Sequence, residues 1–465
     1  MQRPYIPLAL SALVMAAAPG PAAAQGFGVF EHGTCAMARA GAGSAAPCDD
    51  GSAIFFNPAG LAAMRGWTIS VGATGISALG SFVDDLSGGE TDMNNDPIPV
   101  PHVYAAYGIT DRLTTGIGTF APYGLATKWP ETFAGRFNGF DNELRSIYIQ
   151  PTLAYRIHDR ISIGAGFDFV IGSVEINRRL DLSAQAAPAP APPGTTLWQL
   201  GIPLYTDFAQ ARLRATRATG FGGNFGVRVD ATDRVSFGAR YLTRVTLDYD
   251  GKAAFEAIPT GITLPGANPF GVPGGTQLDA VISRLGLFSA AGPLADQGLT
   301  TSITMPDQLM AGVAVRVSPR LLLLGDYQWV NWSKFGRVDL DFANPATPDQ
   351  TLEENYRDTS GVRLGIDWTA GDRWTLRGGY VYHQAAAPDE TVTPLLPEGS
   401  RNEFAAGIGF QVSPKLRVDV AYQFVKQSDR PGRVREIRSG ETAADVNTGM
   451  YKSRAHLFGT TITLH

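Results

Sequence analysis

The residues able to do covalent or metal chemistry are few and scattered. Six histidines, His32, His102, His158, His383, His456 and His465, stand apart with none of the short spacings a metal site uses. No G-x-S-x-G elbow occurs. The glycine groups Gly164-Ala-Gly166 and Gly220-Phe-Gly-Gly223 lie within strand-like runs and open no helix, so they are not phosphate loops. This inventory assigns no catalytic residue, no metal ligand and no cofactor. A hydrolase is disfavoured because no Ser/His/acid constellation can be assembled. The one covalent candidate is Cys35 with Cys48, the chain's two cysteines. In an exported chain such a close pair points to a disulfide, and closing so short a loop contributes roughly 3 kcal/mol. Two free thiols are the alternative.

The chemistry left is non-covalent binding of apolar matter. The longest loop, Ala253 to Gly298, is unusually apolar, with Phe270 and with Val281, Leu285 and Phe288 spaced for one helical face. A second loop, Leu180 to Leu213, carries Trp198, Leu200 and Leu204. Exposed apolar surface of this kind reads as a capture groove, and mutual packing of the two loops is the bland reading. Phe120-Ala-Pro-Tyr-Gly124, preceded by Gly116 and Gly118, is the stretch of strand least able to hold a ladder, because Pro122 has no N–H and glycines weaken pairing. It reads as a lateral portal or as a plain strand exit. The short stretch Gly51 to Gly66 contains Phe55 and Phe56, then Asn57 as a helix N-cap, Pro58 as first helical residue and Ala59 to Met64 as the helix.

These pieces need elements to hold them. Residues 1–24 read as a secretory signal, with one charge at Arg3, an apolar run Leu8 to Ala18, and Ala22-Ala23-Ala24 for cleavage. Residues 25–66 are too few to bury a core and read as a plug, or hatch. From Trp67 onward the chain alternates in period two; Ile161, Ile163, Ala165, Phe167 and Phe169 face one way, Ser162, Gly164, Gly166 and Asp168 the other. Six short turns, such as Thr110-Asp-Arg112 and Ser413-Pro-Lys415, alternate with long variable loops. Long loops at one end only are the mark of an outer-membrane barrel. Runs beginning near Trp67, His102, Leu113, Leu144, Ile161, Ala211, Val235, Thr301, Leu321, Thr359, Trp374, Asn402, Leu416 and Tyr451 give an all-β antiparallel transmembrane barrel of about fourteen strands over residues 67–465. Trp129, Trp329, Trp332 and Trp368 near strand ends fit interfacial girdles, though core packing uses the same residues. The mild net charge of −5 shows no basic patch for nucleic acid.

The ordered motifs Asn57-Pro58-Ala59, Pro122-Tyr-Gly-Leu-Ala-Thr-Lys128, Ile149-Gln-Pro-Thr-Leu-Ala-Tyr155, Met305-Pro-Asp307, Asn331-Trp-Ser-Lys-Phe335, Trp374-Thr-Leu-Arg377 and Leu457-Phe-Gly-Thr460 resemble the FadL-type outer-membrane transporters along essentially the whole mature chain. The resemblance implies a monomeric barrel with a hatch, inserted into outer-membrane lipid by the barrel-assembly machinery. It implies passive uptake of long-chain fatty acids or hydrocarbons by loop capture, internal binding, hatch rearrangement and lateral exit at a kinked third strand. It also offers Arg357, where relatives place a basic residue, as partner for a substrate carboxylate. A barrel serving surface binding or adhesion with a static plug is the alternative. One departure is the end Ile462-Thr-Leu-His465, where such barrels usually finish on an aromatic residue; it bears on the assembly signal rather than the fold.

Overall fold

The computed structural model describes residues 26–186, 192–268, 270–434 and 448–465. The expected signal segment, 1–24, lies outside the described residues. Fourteen antiparallel strands close into a barrel. They are β1 (Trp67–Asp84), β2 (Ile98–Gly108), β3 (Leu113–Phe120 and Gly124–Lys128), β4 (Asp141–His158), β5 (Ile161–Asp181), β6 (Asp207–Asp230) and β7 (Val235–Leu242 and Val245–Ala257). Then come β8 (Gln297–Met305 and Gln308–Ser318), β9 (Leu321–Val330 and Arg337–Phe342), β10 (Thr359–Ala370), β11 (Trp374–His383), β12 (Arg401–Ser413), β13 (Leu416–Gln427) and β14 (Gly449–Leu464). The last strand returns to the first in register from Ile69↔Leu464 to Asp84↔Gly449, so the sheet has no edge there.

The alternation is inverted relative to a water-soluble protein. Ile69, Val71, Phe167, Phe221, Leu364, Phe404, Val420 and Phe458 face outward and are exposed, whereas Ser70, Gln150, Asp168, Arg240, Arg363 and Asp419 face inward and are buried. Apolar residues outside and polar residues inside are what a lipid solvent selects. Trp67, Trp368 and Trp374 form an outward belt near the short-turn end. Trp129 and Trp332 do not belong to a girdle: both are buried inside, in the aromatic core under the long loops.

Four strands are interrupted, at Ala121–Tyr123 in β3, Thr243–Arg244 in β7, Pro306–Asp307 in β8 and Asn331–Gly336 in β9. The sequence signals only the first clearly. Pro122 and Pro306 each remove a ladder donor at their break.

The hatch packs inside the barrel through helix α1 (Thr34–Ala38), helix α2 (Ala53–Phe56) and a 3-10 turn Pro58–Ala63. The helix expected at Ala59 to Met64 is thus a tighter 3-10 segment. Asn57 caps it: Oδ1 accepts from Ala59 N at 3.0 Å, and Nδ2 donates to Ser44 O at 2.6 Å and to Val227 O of β6 at 3.0 Å. A 3-10 turn suits the space, because the Pro58 carbonyl carbon lies 2.3 Å from where a Cβ on Gly164 would stand. Only glycine on β5 admits so close an approach.

Polar contacts then bolt the hatch to the wall. Arg39 Nε donates to Asp367 at 2.7 Å, and its Nη2 pairs with the same carboxylate. Asp326 accepts from Gly43 N at 2.8 Å, Ser44 N at 2.9 Å and Ser44 Oγ at 2.8 Å. Arg363 Nη1 donates to Ala40 O at 2.9 Å. Every one of these hatch residues lies in the loop closed by Cys35 and Cys48, which are joined as a disulfide with Cα atoms 6.3 Å apart. Replacing both cysteines by serine is therefore expected to leave barrel assembly intact, read as heat-modifiable migration in SDS gels. Hydrogen exchange across residues 36–47 should speed up. Loss of assembled barrel would contradict this placement of the staple.

Candidate functional site

The ladder between β2 and β3 stops half-way up the wall. Val103↔Thr119 is its last pair, so Ile98–His102 has β1 alone as partner and Gly124–Lys128 has β4 alone. Toward the long-loop end the two sides meet again where Asn94 N donates to Lys128 O at 2.7 Å and Lys128 N to Asn95 Oδ1 at 2.6 Å. Unpaired backbone facing lipid costs several kcal/mol per group, so something must cover such a break. The N-terminal arm of the hatch does. Val29 N donates to Pro122 O at 2.9 Å and Gly124 N to Phe27 O at 3.0 Å, which makes Gly28↔Tyr123 an antiparallel bridge. Tyr123 O is taken by Ser146 N and by Ser146 Oγ at 2.7 Å.

Behind the break the lumen is filled with aromatic rings. Phe120 lies 5.1 Å from Phe55 and 5.9 Å from Tyr148 between ring centres. Phe27 sits 4.8 Å from Trp332, 5.1 Å from Phe335 and 6.0 Å from Tyr123. Arg240 lies over the Phe55 ring at 4.2 Å and Arg363 over Phe30 at 4.6 Å, contacts that favour the cation when water is excluded. His32 bridges the seam, 4.5 Å from Phe55 and 5.7 Å from Phe120. Burial pulls its imidazole down to about 3, against a 2.9 Å hydrogen bond to Val29 O that pulls it up, so the ring is neutral. The arm's root is held by Glu398, which accepts from Gly26 N at 2.6 Å, and by Arg401, which donates to Gly26 O at 2.9 Å.

The expected site residues fall into separate groups. Phe55, Phe56, Asn57, Pro58 and Ala59 are buried together in the hatch. Phe120, Pro122 and Gly124 bound the break, but Gly116 and Gly118 lie in the paired half, opposite Ala106 and Tyr104. Their lack of a side chain makes room instead, since a Cβ on Gly118 would stand 2.9 Å from Ile54 of the hatch. The two apolar loops share a small core of Leu182, Leu197, Ile202, Phe208, Leu264, Leu278, Val281 and Ile282, against which Phe270 and Phe288 pack. The loop helix spans Leu278–Arg284, so Leu285 caps it and is exposed, and Phe288 lies beyond it. The expected face of Val281, Leu285 and Phe288 is replaced by Leu278, Val281 and Ile282. Trp198, Leu200, Leu204 and Leu285 remain exposed on the outside of this core. Arg357 is exposed on the β9–β10 connection and is not brought to the break.

Sequence reasoning missed Phe27, Tyr104 and Tyr148, and it placed Trp332 in a girdle rather than in the aromatic core. Tyr104 and Tyr148 occupy inward positions, each next to a polar residue of the same face, His102 and Gln150. A large ring on the polar face of a strand, level with a Pro/Gly break, is the signal that would have found them. Cavities of about 300 and 430 Å³ open at the short-turn end, among Arg39, Arg228, Arg316 and Arg417 and among Arg160, Asp230 and Arg234. Another of about 360 Å³ lies at the long-loop rim between Phe82, Glu90 and Arg136.

Comparison with known proteins places this geometry. Residues 15–465 match the family model described as outer membrane protein transport protein (OMPP1/FadL/TodX). The chain is 25% identical over 447 residues to a long-chain fatty acid transport protein of Escherichia coli, covering 94% of this chain and 93% of that one. It is 23% identical over 477 residues to outer membrane protein P1 of Haemophilus influenzae, covering 96% of each. Among solved structures, a FadL homologue from Pseudomonas aeruginosa superposes with a TM-score of 0.76 at 21% identity, covering 95% of this chain and 99% of its own. The toluene transporter TodX of Pseudomonas putida gives 0.66 at 20% identity, covering 94% and 98%. Closed barrel, internal hatch and whole-length match agree: the chain belongs to the OMPP1/FadL/TodX family of bacterial outer-membrane transport proteins, a family of channels rather than enzymes.

Proposed function

We propose that this barrel takes up hydrophobic molecules passively, long-chain fatty acids or hydrocarbons, and releases them sideways through the wall at β3. The observation that carries the reading is the interrupted β2–β3 ladder, closed by the hatch arm at Pro122, Tyr123 and Gly124 rather than by a neighbouring strand. A neighbouring strand leaves only by breaking a whole ladder of hydrogen bonds; the arm leaves β3 by breaking two backbone bonds, Val29 N to Pro122 O and Gly124 N to Phe27 O. The exposed Trp198, Leu200, Leu204 and Leu285 serve as the first apolar landing surface at the long-loop end, and Arg357 offers a cation to an arriving carboxylate there. The molecule then replaces aromatic contacts behind the break, the arm rearranges, and the apolar solute moves into the bilayer down its gradient. No energy source is coupled. The protein works as a monomer inserted by the barrel-assembly machinery. The names of its relatives, a long-chain fatty acid transport protein and a toluene transporter, support the substrate class.

The bolts through Arg39 and Asp326 favour one element of the static-plug alternative: the stapled part of the hatch stays put, and movement is confined to the arm. The variant Pro122→Thr/Gly124→Val gives β3 back a donor and a strand-forming residue, and a Cβ on Gly124 meets nothing closer than 3.6 Å. Cells carrying this barrel as their one such transporter should import radiolabelled oleate or toluene. The variant, inserted at equal abundance, should import several-fold less. Equal import would place the exit elsewhere, and no import by either protein would favour surface binding.

A further inference from the structure

Directly behind the β3 break the lumen gathers polar atoms that no protein group satisfies. Both carboxylate oxygens of Asp168, Nη1 of Arg240 and the hydroxyls of Tyr148 and Tyr249 are buried without a hydrogen-bond partner among the described residues. Asp168 is fully buried and Arg240 nearly so. Asp168, Arg240 and Tyr249 all lie within electrostatic reach of Tyr148, which also stacks at 5.9 Å on Phe120 of the break. On β6 the residue opposite Asp168 is Gly222, which offers the carboxylate no side-chain partner; Val245 and Thr243 fill the space beside it, 2.7 and 2.9 Å from where a Cβ would stand. Beyond Gly222 comes the interruption of β7, where Gly223 N turns to Thr243 Oγ1 at 2.9 Å instead of a ladder carbonyl. Nε and Nη2 of Arg240 donate to Asn224 Oδ1 and Gln308 Oε1, each at 3.3 Å, and its face lies over Phe55.

We propose that Asp168, Arg240, Tyr148 and Tyr249 form a head-group subsite that favours hydrophobic alcohols and phenols over fatty carboxylates. The inference rests on the uptake reading and narrows it. A buried carboxylate without a partner calls for a donor, and a guanidinium N–H beside it calls for an acceptor. A hydroxyl is both: its proton goes to Asp168 and its oxygen takes the proton of Arg240 Nη1 or of a tyrosine. A ligand carboxylate is acceptor only. It would compete with Asp168 for one guanidinium and set two anions side by side in a medium that screens them poorly. A pure hydrocarbon gains nothing from the site and is not refused by charge. Asp168 is in this sense a specificity-determining residue, set against acids as much as toward alcohols.

The test is equilibrium binding of radiolabelled 1-dodecanol, dodecanoate at pH 8 and dodecane to the full-length barrel in nanodiscs, corrected for empty nanodiscs. The wild type should bind dodecanol about tenfold tighter than dodecanoate, the size of effect one unfavourable charge contact produces. Asp168→Asn keeps the shape and removes the charge. It should bring dodecanoate up to dodecanol while dodecane stays unchanged. Tyr249→Phe, which disturbs no charge, should weaken dodecanol alone and serves if Asp168→Asn does not assemble. A wild type that binds dodecanoate as well as dodecanol, or a ratio that neither variant moves, overturns the subsite while dodecane binding keeps the uptake reading. Failure of all three to bind overturns the uptake reading and this inference with it.

Discussion

A barrel wall in lipid must satisfy every backbone N–H and C=O within the protein, because the hydrocarbon offers no partner. β3 breaks that rule at Ala121–Tyr123 and the hatch arm restores it, through Val29 N to Pro122 O and Phe27 O from Gly124 N. Much of the molecule follows from this one exchange. The arm must reach the break, so Gly26 is held from both sides by Glu398 and Arg401. Its rings must be sheltered, so Phe27 enters a box of Trp332, Phe335 and Tyr123 and Phe30 lies under Arg363. A wall closed by a neighbouring strand is permanent. A wall closed by a short arm rests on two backbone hydrogen bonds.

The rest of the hatch is built to the opposite specification. The loop between Cys35 and Cys48 carries Arg39, Ala40, Gly43 and Ser44, and each of them is bonded to a residue of β9 or β10. A buried pair such as Arg39–Asp367 contributes little net stability against its desolvation cost, but removing one partner leaves a stranded charge. Such contacts fix register more than they add energy. The glycines on the wall, Gly164 and Gly238, take the hatch backbone at distances no other residue permits. One small segment therefore combines a half with many polar contacts to the wall and a half that meets β3 through two backbone hydrogen bonds. The staple divides them, since the arm that meets β3 precedes Cys35.

Most of the barrel was legible because lipid imposes a simple code. Alternation, six tight turns and long loops at one end place all fourteen strands, since outward residues such as Phe167 and Phe404 have no other reason to be apolar. Interior breaks were less legible. Pro122 with its flanking glycines announces the β3 break, but the β7 break at Thr243–Arg244 and the β9 break at Asn331–Gly336 carry no proline to announce them. The site was legible in part. Phe120, Pro122 and Gly124 follow from the rule that proline cannot donate. The inward rings of Tyr104, Tyr148 and Phe27 do not, because a strand-level pattern says which face a residue takes and not what it meets across a lumen. The same limit separates Gly116 and Gly118, whose role is to admit Ile54, from the residues of the break itself. The apolar loops show the third limit: Val281 is spent on packing between loops, and only their outward residues remain for a ligand.

The central claim is that the arm closes the wall and must leave for solute to pass. The most direct measurement uses the bridge between Gly28 and Tyr123. With the native pair replaced by serine, cysteines at 28 and 123 can lock the arm to β3 by a disulfide, and uptake of oleate and toluene is followed before and after reduction. The account predicts import that is lost when the lock is closed and returns when it is reduced. Undiminished import through a barrel whose arm is covalently held to β3 would contradict it.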